Sequence, residues 1–392
     1  MTRPRIKMAM AVWVVLVMTA AAAVADPGVT GTEILIGSSL ALEGHAQYLG
    51  TQTLHGAMAY IQNVNEQGGI HGRKIKLIAY NDGYDPPSCI KNTEKLINED
   101  KVFALTCYVG TPTSVKIIPI VEMEKIPLVG LFTGAEALRE PVQRYIFNIR
   151  ASYYEETAGI VDHFWNDLGA RKIAVFYQND AYGKAGLKGV ELALAKYNTL
   201  PVATGTYERG NPGISEGLKP IVASQAEAVV MVGVYEPCAN FIRSAKWSGY
   251  NPYFHNVSFV GAKELARQLG VGRDSDGVVV TQVVPPPESA YPGVVEYREI
   301  LKKYYPRDEP NFVSLEGFMN AKTLVAVLQS AGANLTREGF IKAAESLTNL
   351  DVGLPEKISY TPEDHRGFSD IFYTVIKQGK YHLVENWNEI KH

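Results

Sequence analysis

A turn between a strand and a helix carries the first residues that could do chemistry. The apolar run Val102–Val109 stops at Gly110, and a helix start follows with Thr111 as the predicted N-cap and Pro112 at the first helical position. The opening turn of a helix has unpaired N–H groups and a partial positive charge, so it binds anions such as carboxylates. Ligands of open α/β sheets lie beyond the carboxyl ends of strands. The turn is therefore either an anion site or an ordinary capped connection.

The sequence gives weaker support for a catalytic site than for this turn. Gly213–Gly217 matches the nucleophile elbow G-x-S-x-G, but loop residues precede it instead of a strand, so Ser215 is predicted in the first turn of a helix. The eight histidines lack metal-ligand spacing, and the alternating carboxylates of residues 273–277 lack the rest of a calcium loop. The standard Gly-rich phosphate loops are absent from the sequence. We predict a protein that is not an enzyme, with no metal and no cofactor; an exported hydrolase remains a distant alternative.

Alternating strands and helices position the turn. A first series has predicted strands Ile34–Ser38, Lys74–Tyr80, Val102–Val109, Pro127–Phe132 and Tyr145–Arg150, with helices Gly50–Asn65, Pro87–Glu99 and Thr113–Glu124. A second has strands Lys172–Tyr177, Val202–Tyr207, Ala228–Val234, Tyr253–Ser258 and Gly277–Val284, then helices Val313–Ala331 and 336–347, and a hairpin of Ile371–Ile376 and Tyr381–Val384. Strands separated by helices indicate βαβ units and parallel sheets.

The two series predict an α/β fold of two lobes, because the chain exceeds one comfortable hydrophobic core. We place lobe one at residues 29–148 plus 284–354 and lobe two at 149–283 plus 355–392. The chain crosses between the lobes more than once, with Pro285–Pro287 at one crossing.

The first 25 residues are predicted to be a signal peptide. Three basic residues precede the apolar run Met8–Val17, and Ala23 and Ala25 form a small-x-small cleavage site. A retained N-terminal anchor is the alternative. Cleavage after Ala25 removes three basic residues and takes the formal charge from −3 to −6, which disfavours a nucleic-acid partner. We expect an exported, soluble protein.

Three cysteines follow the signal. An oxidising compartment permits a disulfide, and Cys89 and Cys107 are predicted near one edge of a βα layer. Spacing alone does not establish proximity, so the Cys89–Cys107 bridge stays open. Cys238 is expected to be a small buried side chain.

Several sequence blocks together resemble periplasmic solute-binding proteins of the leucine/isoleucine/valine type, which serve ABC importers. They are Ile34–Leu40, Gly68–Ile75, Asn81–Pro86, Tyr108–Ser114, Phe132–Ala135 and Asp180–Gly183. The resemblance implies the type I periplasmic-binding fold: two Rossmann-like lobes with parallel sheets, a three-strand hinge, and a ligand in the cleft. It also implies a small-molecule ligand such as an amino acid or carboxylate, a membrane ABC permease as partner, and a monomer.

The resemblance also implies the site. Family positions that hold a ligand carboxylate match Thr111 and the region of Thr133 and Gly134. Aromatic positions of the family's cleft match Tyr48, Tyr182 and Tyr235. Each tyrosine is alternatively a half-buried packing residue. The full set of predicted ligand-binding residues is Tyr48, Gly110, Thr111, Thr113, Phe132, Thr133, Gly134, Tyr182, Tyr235, Glu236 and Ser258.

One position departs from the family. Branched-chain amino-acid binders pair the ligand's ammonium group with a lobe-two glutamate, and the matching residue here is Ser258. A desolvated ammonium without a carboxylate partner is costly. Either another acid (Glu236, Asp180 or Glu43) replaces it, or the ligand is a hydrophobic carboxylate without an α-amino group.

The predicted function is therefore ligand binding by closure of the two lobes, for delivery to an importer. A sensory module that presents its closed form to a membrane receptor is the alternative, and the sequence does not separate the two.

Overall fold

The structure, a computed structural model, describes residues 26–391, so the predicted signal peptide lies outside it. Twelve strands are described: β1 Glu33–Leu40, β2 Lys74–Asn81, β3 Ala104–Thr106, β4 Leu128–Val129, β5 Ile146–Phe147, β6 Ile173–Gln178, β7 Thr204–Tyr207, β8 Ala228–Val232, β9 Tyr253–Asn256, β10 Val279–Gln282, β11 Phe372–Lys377 and β12 Lys380–Leu383. The α-helices in the same range are α1 Gln47–Glu66, α2 Pro86–Asn98, α3 Thr111–Met123, α4 Tyr153–Asp162, α5 Ala181–Ala195, α6 Ser215–Ala223, α7 Tyr235–Trp247, α8 Ala262–Leu269, α9 Pro292–Tyr304, α10 Phe312–Ser330 and α11 Arg337–Glu345.

The strands form two sheets, one in each lobe. The first has the order β2-β1-β3-β4-β5 and is parallel throughout. The second has the order β12-β11-β10-β9-β8-β6-β7 and is parallel except at its C-terminal hairpin, where β11 is antiparallel to β10 and β12 is antiparallel to β11. The predicted α/β class with parallel sheets is confirmed.

Several predicted strands continue past the carboxyl ends of the observed ones, whereas β1, β2 and β6 end one or two residues later than predicted. The strand predicted over Val102–Val109 pairs only over Ala104–Thr106. The chain then leaves the sheet because Cys107 has φ 58° and Gly110 has φ 95°, values outside the extended region. These departures create the loops that line the cleft.

Three segments carry the chain between the lobes, as the resemblance implies. In the first and third, the Asn148 N–H donates to the His365 carbonyl at 2.9 Å and the Phe368 N–H donates to the Ile149 carbonyl at 2.6 Å. The second segment, at Val283–Pro285, lies beside Phe368. The lobes are thus joined by adjacent, extended stretches of chain.

Helices α1 and α10 touch through glycines on the side of the first sheet. A Cβ atom on Gly56 would lie 1.8 Å from the Ser314 carbonyl oxygen, and one on Gly317 would lie 2.1 Å from the Thr53 carbonyl oxygen. Both distances are shorter than any real carbon–oxygen contact, so the approach requires the absence of side chains. The C-terminal half of the chain thereby returns to lobe one through α10.

The Cys89–Cys107 bridge, which the sequence leaves open, is not formed in the structure. Cys89, Cys107 and Cys238 are buried free thiols. The Cys89 thiol interacts with Ser39, Thr93 and Asp82, whereas the Cys107 thiol interacts with Thr106 and Asn320. Because the two thiols have different neighbours, a bridge would require both side chains to leave their sites.

Two local predictions are confirmed. Ser215 begins helix α6, which fits a helical turn and not a nucleophile elbow. Thr336 caps α11 by accepting a hydrogen bond from the Gly339 N–H. Within residues 26–391, no helix is long and apolar enough to cross a membrane.

Candidate functional site

The turn after β3 begins α3 one residue earlier than predicted. Gly110 stands at the N-cap position and Thr111 is the first helical residue. The prediction of Thr111 as N-cap is wrong: the N-cap position is occupied by Gly110, whose φ of 95° would strain a threonine, and Thr111 is already helical. The Thr111 hydroxyl is instead hydrogen-bonded to the Thr133 hydroxyl at 2.6 Å.

Thr113 directs its hydroxyl back to the main chain. Its Oγ1 donates to the carbonyls of Val109, at 2.5 Å, and Gly110, at 2.9 Å. The hydroxyl is therefore used internally. The backbone N–H groups of Thr111 and Thr113 lie in the first turn of α3, where a helix offers no acceptor of its own.

The turn after β4 lies directly beside the first one. The Gly110 N–H donates to the Phe132 carbonyl at 3.1 Å, and the Phe132 N–H donates to the Tyr108 carbonyl at 2.8 Å. Gly134 accepts from the Tyr153 N–H at 2.7 Å and has no room for a Cβ, which would meet that nitrogen at 2.8 Å. Thr111, Thr133 and Gly134 are therefore brought together, as predicted for a carboxylate site.

A cluster of aromatic rings from both lobes lies over these turns. Phe259, which follows β9, has its ring centroid 5.6 Å from Phe132, 5.9 Å from Tyr84 and 4.6 Å from Tyr182. Tyr182 is in turn 5.3 Å from Tyr153. These five rings are buried. They form an apolar wall shared by the two lobes.

Tyr84 connects the turn after β3 to lobe two. A Cβ on Gly110 would lie 2.0 Å from the Tyr84 Cε2, so the ring rests directly on the glycine. The Gln178 Nε2 donates to the Tyr84 hydroxyl at 3.4 Å across the cleft. Sequence reasoning missed this residue, although it lies in the block Asn81–Pro86 that supported the family resemblance.

A buried ionic cluster lies at the floor of the cleft beside Ser258. Arg150, in the first crossing segment, donates to Glu156 at 2.9 Å and to Glu316 at 3.2 Å, and also to the Ser258 hydroxyl. Ser258 donates to Glu156 through its N–H at 2.7 Å and through its hydroxyl at 2.9 Å. The Thr281 hydroxyl donates to the same carboxylate at 2.5 Å. Ser258 is thus part of an internal network.

The charged groups of this cluster shift one another's pKa values. Burial raises the pKa of Glu316 to about 7; the charge of Glu156 adds to this rise and that of Arg150 opposes it. Burial by itself would lower the pKa of Arg150, but the charges of Glu316 and Glu156 outweigh it and the pKa is raised. Arg150 therefore stays cationic while Glu316 titrates near neutral pH.

The sequence analysis did not find Arg150, Glu156 or Glu316. Arg150 and Glu316 are separated by 166 residues, so no local pattern connects them. The only signal was that Arg150 and Glu156 flank the capping box that begins α4, where the rhythm of strands and helices changes.

Three predicted residues lie away from the two threonines. Tyr48 and Tyr235 meet edge to face at 6.2 Å and line a groove of about 300 Å³ at the rim of the cleft. The Tyr48 hydroxyl is buried and has no hydrogen-bond partner among the described residues. Glu236 is partly buried in the first turn of α7.

The other acids considered as ammonium partners have neighbours of their own. Asp180 caps α5, accepts from Gln178 at 2.6 Å and lies 3.7 Å from Arg209. Glu43 is exposed and accepts from Asn81 at 3.1 Å. Among residues 26–391, no group of three or more His, Cys, Asp or Glu side chains is placed to hold a metal ion.

Comparison with known proteins extends these observations. The family described as periplasmic binding protein matches residues 33–380. An amino acid binding protein of Pseudomonas aeruginosa is 26% identical over 361 residues, covering 90% of this chain and 92% of that protein. A crystal structure of a possible leucine/isoleucine/valine-binding protein from Rhodopirellula baltica is 36% identical with a TM-score of 0.87, covering 92% of this chain and 98% of that one. A substrate-binding periplasmic protein from Ralstonia solanacearum is 26% identical with a TM-score of 0.84, covering 89% and 99% of the two chains.

Proposed function

Because the chain belongs to the periplasmic binding protein family, we propose that it is the solute-binding component of an ABC importer. Its ligand is a small hydrophobic or branched-chain amino acid or a related carboxylate, bound between the lobes. Relatives described as amino acid binding and as possible leucine/isoleucine/valine-binding proteins support this ligand class. Because these relatives are described as binding proteins, we infer that this chain binds its solute without transforming it.

The pair of turns in lobe one is the observation that carries the proposal. The first turn of α3 offers N–H groups and the positive end of a helix, and the hydroxyls of Thr111 and Thr133 lie 2.6 Å apart beside it. Threonine hydroxyls and backbone N–H groups are donors that suit a carboxylate. The carboxylate end of the ligand binds here.

The aromatic cluster supports an apolar body for the ligand. Tyr84 and Phe132 come from lobe one, and Tyr182 and Phe259 from lobe two, so the rings meet only when the cleft is closed. The rings of the two lobes already contact one another and are buried, so a ligand with an apolar body packs against this shared wall. Closure then depends on contacts that the ligand makes only in the closed state.

The moving bodies are the two lobes. We place their boundaries at 29–148 plus 284–354 and 149–283 plus 355–392, and assign the hinge to the three crossing segments. The closed form is what a permease would recognise. The signal peptide, cleaved after Ala25, would deliver the protein to the periplasm as a monomer.

A thermal-shift screen of residues 26–392 tests the proposal. The protein is unfolded and refolded to remove bound ligand, then melted with hydrophobic amino acids and with aryl and alkyl carboxylic acids. A ligand at one hundred times its Kd adds about 2.7 kcal/mol to the free energy of unfolding, enough to raise the Tm by several degrees. Matched amines and alcohols without a carboxylate are the controls and should give no shift. Stabilisation by the alcohols equal to that by the acids would contradict the carboxylate site.

Gene order separates import from sensing. Genes for an ABC permease next to the gene for this protein would support import. A neighbouring membrane receptor in place of a permease would favour the sensory alternative.

A further inference from the structure

We propose that Arg150 sets the charge class of the ligand: its guanidinium supplies the cation at the floor of the cleft, so the site accepts carboxylates that carry no ammonium group beside the carboxylate. This inference rests on the proposed function, because it concerns the ligand of the same cleft. It assigns a specificity-determining role to a residue that was not among the predicted ligand-binding positions.

Arg150 lies next to the two turns that carry Thr111 and Thr133, where the carboxylate is proposed to bind. Its guanidinium carbon is 5.4 Å from the ring centroid of Phe132 and 5.7 Å from that of Tyr153. The Thr133 hydroxyl, which is bonded to that of Thr111, donates to the Tyr153 hydroxyl at 3.3 Å. A single layer of aromatic side chains therefore separates the guanidinium from the place where the carboxylate binds.

An α-amino acid would bring a second cation into this space. Its ammonium nitrogen is bonded to the same carbon as the carboxylate, so fixing the carboxylate at Thr111 and Thr133 fixes the ammonium close to the ring-lined floor. Arg150 already pairs with both buried acids of the cluster, so the ammonium would be buried without a free carboxylate partner, which is costly. A ligand without the amino group avoids this cost.

The acids nearest the floor do not remain available to an ammonium. Each oxygen of Glu156 accepts two hydrogen bonds: Oε1 from Arg150 and the Ser258 hydroxyl, and Oε2 from the Ser258 N–H and Thr281. Four bonds fill the acceptor sites of a carboxylate. Burial raises the pKa of Glu316 to about 7, so this second carboxylate is largely neutralised by a proton or by Arg150 at neutral pH.

The test compares ligand pairs that differ only in the amino group. We would measure by calorimetry the Kd of leucine against 4-methylpentanoate and of phenylalanine against 3-phenylpropanoate, with the refolded wild-type protein. At least one deaminated acid should bind ten times or more tightly than its amino acid. Arg150→Met should shift that ratio toward the amino acid by at least tenfold, because the carboxylates of Glu156 and Glu316 lose their cation. Arg150→Lys should keep the wild-type preference.

Arg209→Met is the matched control. Arg209 is a partly buried arginine at the cleft, 5.8 Å from the Tyr84 ring, and it lies outside the cluster of Glu156 and Glu316. Its loss should leave the ratio of amino acid to deaminated acid unchanged. An equal change in this variant would mean that any positive charge near the cleft has the effect, and the specific role of Arg150 would be wrong.

The wild-type ratios keep the inference testable even if Arg150→Met does not fold. If neither deaminated acid binds at least ten times more tightly than its amino acid, the inference fails while the proposed function stands. If no acid of either kind binds, the proposed function fails and this inference fails with it.

Discussion

At the residue scale, Thr133 joins the two turns of lobe one through its hydroxyl. Its Oγ1 is bonded to that of Thr111 and reaches the Tyr153 hydroxyl. Replacing the hydroxyl by a methyl group of the same shape removes both bonds without opening a cavity. The residue is therefore a direct probe of the carboxylate site.

Thr133→Val should weaken carboxylate binding by about tenfold, since one hydrogen bond to a charged group contributes about 1.5 kcal/mol or more. The measurement is calorimetric titration with whichever acid stabilises the wild type. Thr113→Val is the matched control: its hydroxyl bonds only the carbonyls of Val109 and Gly110, so the change should lower the Tm and leave the Kd of the folded protein nearly unchanged. A Thr133→Val protein with wild-type affinity would contradict the assignment.

Gly110 is a second probe at this scale. Gly110→Ala combines an unfavourable φ of 95° with a Cβ placed 2.0 Å from the Tyr84 ring, so both the Tm and ligand affinity should fall. Gly68→Ala meets a similar φ of 104° with nothing within 4 Å. The difference between the two variants in chemical denaturation isolates the clash with Tyr84. Equal losses would show that the ring does not press on the turn.

At the scale of elements, the regular alternation of strands and helices was predictable because each carries its own pattern. The hairpin of β11 and β12, the start of α6 at Ser215 and the cap of α11 by Thr336 depend on neighbouring residues. The ends of strands such as β3 and β4 were predicted too late, since an apolar run continues into loops that are buried between the lobes. Pairing decides where a strand ends, and pairing is not local.

The candidate site was predictable only in part for the same reason. The turns at Thr111 and Thr133 follow strands and can be recognised along the chain. The cluster of Arg150, Glu156 and Glu316 is assembled from the first crossing segment, α4 and α10, and no spacing in the sequence announces it. Ser258 was recognised as a departure, but its bonds to Glu156 required the fold.

The thiols of Cys89 in α2 and of Cys107, directly after β3, lead to a prediction about redox conditions. Because Cys89 and Cys107 are free and buried, the melting temperature of the purified protein should be the same with and without a reducing agent. Burial raises the pKa of both thiols, to about 11 for Cys107, which keeps them protonated and unreactive. A fall in Tm of several degrees on reduction would indicate the bridge after all.

At the scale of the whole molecule, Glu316 connects lobe one to the crossing segment that closes it. Its carboxylate is paired with Arg150, while Arg150 also binds Glu156 in lobe two. Closing the cleft therefore buries two carboxylates around one guanidinium. The stability of this arrangement must depend on pH.

Glu316→Gln should remove part of that dependence. Burial raises the pKa of Glu316 to about 7 from its ordinary value of 4.5, so its contribution to stability is complete below pH 4.5 and is lost as the pH rises to 7. The free energy of unfolding of the wild type relative to Glu316→Gln should fall by at most about 3 kcal/mol over this range. Denaturant titrations at pH 4.5, 6 and 8 measure it. A constant difference between the two proteins would contradict the raised pKa.

The glycine contact between α1 and α10 has a consequence for how such a binding protein can be tuned. Gly317 follows Glu316 directly and lies against the Thr53 carbonyl. The distance between α1 and α10 therefore sets the position of the Glu316 carboxylate relative to the hinge. A methyl group at position 56 or 317 would push α1 and α10 apart and displace Glu316 from Arg150 without touching the ligand. The balance between open and closed forms can thus be adjusted from the back of lobe one while the chemistry of the cleft stays the same.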